Sequence, residues 1–161
     1  MSRCIPILLA AACLLPCCRQ ASDEGPQPAR VTINGQVWYV ELALTAEQQQ
    51  KGLSGRWTMP QEHGMLFIKP RPAIQEFWMI DCHFPIDVAF ADDQGRIVSI
   101  HTMRPQPGVS PDDLKRYSSL KPARFALEVH GGQFARRGIK VGDRMEFSPE
   151  VTQAMGAMPR E

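Results

Sequence analysis

From Arg30 to Phe147 the chain is cut by turn residues into short apolar runs, one every ten positions or so. That punctuation excludes long helices and favours a fold built from short strands. "VTINGQVWYVELAL" holds Asn34-Gly35 between two such runs, and both residues tolerate the positive φ of a two-residue hairpin turn. "TAEQQQKG" reads as a short helix, with Thr45 and Gln48 spaced as a capping box and Gly52 as its stop. "MLFIK" is a strand between His63-Gly64 and Pro70-Arg71-Pro72. "EFWM" and "IDVAF" are two more, separated by "IDCHFP"; Ile86, Val88 and Phe90 share one face of the second, Asp87 and Ala89 the other. "ADDQG" turns the chain into the strand "RIVSIHTM". A long loop from Arg104 to Pro122 contains Pro105, Pro107 and Pro111; loops of that length are often functional or mobile. "ARFALEV" is again a strand, "GGQFARRG" a short helix, and "IKVGDRMEF" closes the domain through a turn at Gly142-Asp143. About eight strands and two short helices imply a mainly β fold, a β-sandwich or partly closed barrel. Residues 148–161 read as a disordered tail.

Charge narrows the function classes. Net charge is +1, charged residues are 22%, and Lys and Arg are scattered rather than striped, which argues against nucleic acid as a partner. The first 18 residues are of another kind. Arg3 precedes an uncharged apolar run, Ile5 to Leu15, too short to span a bilayer and shaped like a secretory signal. "LPCC" and "AAAC" resemble the end of a bacterial lipoprotein signal, which makes Cys18 and Cys13 the candidate lipidation sites. Residues 19–29 are polar and Pro-containing, as a flexible tether would be. The expected location is the periplasmic face of a bacterial envelope, with the membrane touched through the N-terminus alone. Cys82 is the single cysteine of the domain, so no disulfide can form within it.

Five segments taken together resemble the family known as domain of unknown function 192: "KGLSGR", "HGMLFI", "FWMIDCHFPIDVAFADDQGRIVSI", "ARFALEVHGG" and "GIKVGDRMEF". They run in order across the domain from Arg30 to Phe147. The resemblance implies a small, mainly β, often secreted domain with no established activity. Where the family pattern reads "WMKNT", this chain has Trp78-Met79-Ile80-Asp81-Cys82, so Asp replaces Asn and Cys replaces Thr. A cysteine that stands in for threonine is a poor obligatory nucleophile.

Several constellations are candidates for chemistry. Cys82 and His83 are adjacent, and neighbours on an extended segment point to opposite faces, which makes them a poor nucleophile–base pair. His63, Met65, Met79, Cys82, His83, His101 and Met103 are soft donors of the kind copper prefers. Met65 and Met79 sit in apolar strand runs and are more simply explained as core residues, and no metal or other cofactor is expected. Arg56 follows "GLSG", and Asp87 interrupts an apolar strand; a partly buried Arg56–Asp87 salt bridge is the structural expectation. The functional alternative makes Arg56 a fork for an anionic or hydroxyl-rich ligand, oriented by Asp87. Trp78, Asp81 and Glu128 complete a candidate ligand site, with a ring to stack on and carboxylates to fix hydroxyl groups. No nucleophile elbow, phosphate loop or zinc-protease motif is found. The expectation is a binding or interaction module for a small molecule, glycan or envelope protein. The alternatives are an enzyme acting on a saccharide or other envelope polymer through Asp81, Asp87 or Glu128, and a periplasmic copper-binding protein.

Overall fold

A computed structural model describes residues 27–158. The expected signal segment and the candidate lipidation sites Cys13 and Cys18 lie outside the described residues. Within them the elements run β1 (Arg30–Ile33), β2 (Gln36–Ala43), α1 (Ala46–Lys51), β3 (His63–Ala73), β4 (Glu76–Phe77), β5 (Ile86–Ala91), β6 (Ile97–Met103), β7 (Tyr117–Ser118), β8 (Ala123–His130), α2 (Gln133–Arg136), β9 (Glu146–Phe147) and α3 (Pro149–Ala157). Seven strands form one curled sheet in the order β6-β5-β8-β3-β2-β1-β9, and β4 and β7 pair as a separate ribbon. The fold is mainly β, as the turn pattern implies. Within the large sheet β2 and β3 run parallel and the remaining pairs antiparallel.

Local sequence explains the early elements. Ile33 pairs with Gln36 across Asn34 and Gly35, whose φ angles of 50° and 76° are the left-handed pair such a turn demands. At α1 the Thr45 hydroxyl accepts from the Gln48 amide (3.2 Å) while Gln48 Oε1 accepts from the Thr45 amide (3.0 Å). The helix stops at Gly52, φ 47°. β3 runs on through Pro70 to Ala73, beyond the expected strand over residues 65–69. The long loop after β6 is not bare: it carries a single 3-10 turn (Pro111–Asp113) and β7.

The sheet is covered on both faces. On one, Val31, Ile33, Trp38, Leu66, Leu127 and Val129 pack with Phe134 of α2, Ile139, Met145 and Val151 of α3. On the other, Phe67, Ile86, Val88, Phe90 and Ala126 pack beneath Leu53, Met59, Met79, Phe84 and Tyr117. Double coverage explains why β5 and most of β8 are buried at every position rather than at alternate ones. The tail expected to be disordered is instead α3 over residues 149–157. Ser148 and Pro149 open it in the favoured N-cap and N1 places, and Val151 and Met155, one turn apart, face the core.

Candidate functional site

β-sheet register decides which candidate side chains can meet. Glu41 pairs with Met65, Met65 with Glu128, and Glu128 with Val88, so these four form one row across β2, β3, β8 and β5. Val88 belongs to the second core cluster, which fixes the face of the whole row. Asp87 pairs with Val129, a residue of the first cluster, and therefore projects from the opposite face.

The Arg56–Asp87 salt bridge does not form. Arg56 holds Glu41 with both arms of its guanidinium, Nη1–Oε1 at 2.5 Å and Nη2–Oε2 at 2.7 Å. That bond holds the Glu41 carboxyl below its usual range and raises the Arg56 guanidinium. Asp87 is 1% exposed and accepts from the Thr102 hydroxyl (2.7 Å) and from the Phe134 amide (3.0 Å). It ties α2 and β6 to β5, and so is a structural anchor rather than a ligand residue.

A cavity of about 290 Å³ opens on the other face, between α1 with its following loop, β3, β4 and β8. Glu128 lines it, together with Trp78, Cys82, Phe67 and Phe77; Gln49, Lys51, Ser54 and Lys69 add polar edges. Glu128 is 5% exposed, and among the described residues no group donates a hydrogen bond to its carboxyl. Burial pushes that carboxyl up to about 8, against the opposing pull of Arg56. Lys69, by contrast, donates to Gln49 Oε1 at 2.6 Å.

Residues 29–147 match the family model described as uncharacterized ACR, COG1430, also called DUF192. The chain belongs to the DUF192 family. A Sinorhizobium meliloti 1021 protein described as a candidate transcription regulator shares 30% identity at a TM-score of 0.64, over 74% of this chain and 91% of that one. A Novosphingobium aromaticivorans DSM 12444 protein of unknown function shares 34% at 0.62, over 74% and 83%. Among curated proteins no match is found.

The departures of this DUF192 domain from the family pattern fall beside the cavity. Asp81 has φ 48°, a left-handed conformation that Asn and Asp tolerate better than other side chains. Its carbonyl accepts from the Gly55 amide (2.8 Å), and its carboxylate lies 3.2 Å from His83 Nε2, outside the cavity wall. Cys82 lines the cavity, but burial, with Glu128 and Asp81 adding negative charge, pushes its thiol up to about 12. A thiol so held is protonated and a poor nucleophile. His83 turns away and stacks on Trp57, ring centroids 4.0 Å apart.

The soft donors have other contacts. His63 sits beside Tyr39, His101 bonds the Ser118 carbonyl (2.8 Å), and Met65, Met79 and Met103 are buried in the core. Among the described residues no three His, Cys, Asp or Glu side chains are grouped to hold a metal. Of the five candidate ligand residues, Glu128 and Trp78 line the cavity, while Arg56 reaches Glu128 through its charge alone. Phe67, Phe77, Lys51 and Lys69 were missed by sequence reasoning. Phe67 and Phe77 sit in apolar strand runs that give no sign of a cavity, which forms only where α1 packs over β3.

Proposed function

We propose that this protein is an exported, envelope-associated module that binds a small molecule in the Glu128 cavity. One observation carries the binding reading: a buried carboxyl without a hydrogen-bond partner faces an aromatic-walled cavity. Native proteins pair nearly all buried polar groups, so an unpaired one beside open space calls for a partner. Binding is favoured over saccharide hydrolysis because the expected acids are not brought together, Glu76 being the other carboxyl of the lining. Of Asp81, Asp87 and Glu128, only Glu128 lines the cavity. The envelope reading is supported by the apolar run Ile5–Leu15, by Cys13 within it and by Cys18 just after it.

A small-molecule screen by thermal shift tests binding. Hits should raise the melting temperature of the wild type and lose that effect in Glu128→Leu. A broad screen without a hit, or hits indifferent to Glu128, would overturn the cavity assignment. Cell fractionation tests location: the protein should sediment with membranes, and Cys18→Ser or Cys13→Ser should release it. Wild-type protein found wholly in the soluble fraction would refute lipid anchoring.

A further inference from the structure

We infer that the ligand of this cavity carries a primary ammonium on an apolar body, the ammonium seated at Glu128. The inference rests on the small-molecule reading above and names the ligand's chemical class. The other charged groups of the neighbourhood are already engaged or stand apart from the Glu128 carboxyl. Arg56 is committed to Glu41 by two hydrogen bonds, and Lys69 to Gln49. Lys51 on α1 adds a second cation to the lining and Glu76 on β4 an anion, while the Cys82 thiol stays neutral. Glu128 therefore offers the cavity an acceptor without a protein donor on a nearly buried residue, whereas Glu76 is exposed.

The walls have a matching character. Phe67 and Phe77 meet edge to face with centroids 4.9 Å apart, and Trp78 closes one side. The Trp78 ring already holds a cation, the Arg116 guanidinium 4.1 Å from its centroid. Aromatic faces attract cations through their quadrupole, most strongly where water is excluded. A neutral hydroxyl would also satisfy one lone pair of Glu128. A charge-assisted hydrogen bond is about twice as strong as a neutral one, so the ammonium is preferred.

Near neutral pH burial keeps Glu128 largely protonated. An arriving ammonium then ionises it, forming the carboxylate–ammonium pair and releasing one proton to the buffer. Binding that releases one proton tightens by about tenfold per pH unit until the free carboxyl itself ionises.

Calorimetric titration of the full-length protein in mild detergent tests this with three matched probes: phenethylamine, 2-phenylethanol and 3-phenylpropionate. The amine should bind at least about tenfold more tightly than the alcohol. Its affinity should climb by about tenfold per unit between about pH 6 and pH 7, with one proton released. Glu128→Gln should abolish both the preference and the pH dependence while keeping the fold, checked by circular dichroism. Equal or tighter binding of the alcohol or the acid would overturn the ammonium assignment and leave the small-molecule reading standing. An amine preference that survives in Glu128→Gln, or no binding by any of the three, would overturn it as well.

Discussion

Two buried carboxyl groups lie one residue out of register on neighbouring strands, and the sheet separates them. Asp87 on β5 faces the α2–α3 side and is met by a hydroxyl and a backbone amide. Glu128 on β8 faces the α1 side and is met by a cavity. Desolvation acts on both; the partners are what differ. A buried acid with hydrogen-bond donors can fasten elements together, as Asp87 fastens α2 to the sheet. A buried acid without them costs stability and is kept where a ligand supplies the missing partner. The contrast teaches that burial of an acid is not itself a functional sign, whereas burial beside open space without a donor is one.

The sharpest break of this contrast is Asp87→Ala. It removes two buried hydrogen bonds and strands the Phe134 amide, at a cost of about 4 kcal/mol. Denaturant unfolding should show that loss; a variant as stable as wild type would mean that α2 is held without Asp87.

Glu128→Gln should act in the opposite direction. The folded carboxyl is raised from 4.5 to about 8. Its favourable contribution is therefore complete below about pH 4.5 and is lost as pH rises through about 8, because the unfolded chain ionises first. Gln, which mimics the protonated acid, should match wild type near pH 4 and exceed it by on the order of 3 kcal/mol at pH 7. Parallel pH–stability profiles for the two proteins would contradict an unpartnered Glu128.

Smaller effects sharpen the picture. Arg56→Met should cost about 1 kcal/mol or less, since its pair with Glu41 is partly exposed, and it should raise the Glu128 carboxyl further by removing a nearby cation. A loss as large as that of Asp87→Ala would show that the pair matters more than its exposure suggests. Cys82→Thr should change the melting temperature least and leave binding intact, since the thiol is held neutral and gives one weak bond to the Ile80 carbonyl (3.4 Å). Lost binding with an unchanged melting temperature would give the thiol a role at the site.

What the sequence determined by itself was whatever depends on neighbours in the chain. The Asn34-Gly35 turn, the Thr45–Gln48 box and the alternation along β5 are set within a few residues by φ preferences, amide spacing and side-chain period. The motifs that carry the family resemblance are of the same kind. α3 was also written locally, in Ser148-Pro149 and the Val151–Met155 spacing, but its apolar face is narrow and is completed only by packing on the sheet. The partner of Arg56 was decided elsewhere. Two acids, Glu41 and Asp87, lie on strands of the same sheet, and no local signal says which face each takes relative to the loop that carries the arginine. Sheet order and register answered that, placing Glu41 and Glu128 in one row and Asp87 behind it. The cavity belongs to the same class of fact. It is bounded by segments up to about eighty residues apart in sequence, and hydrogen-bond satisfaction at Glu128 depends on which donors those segments bring near. Tertiary structure alone could decide it.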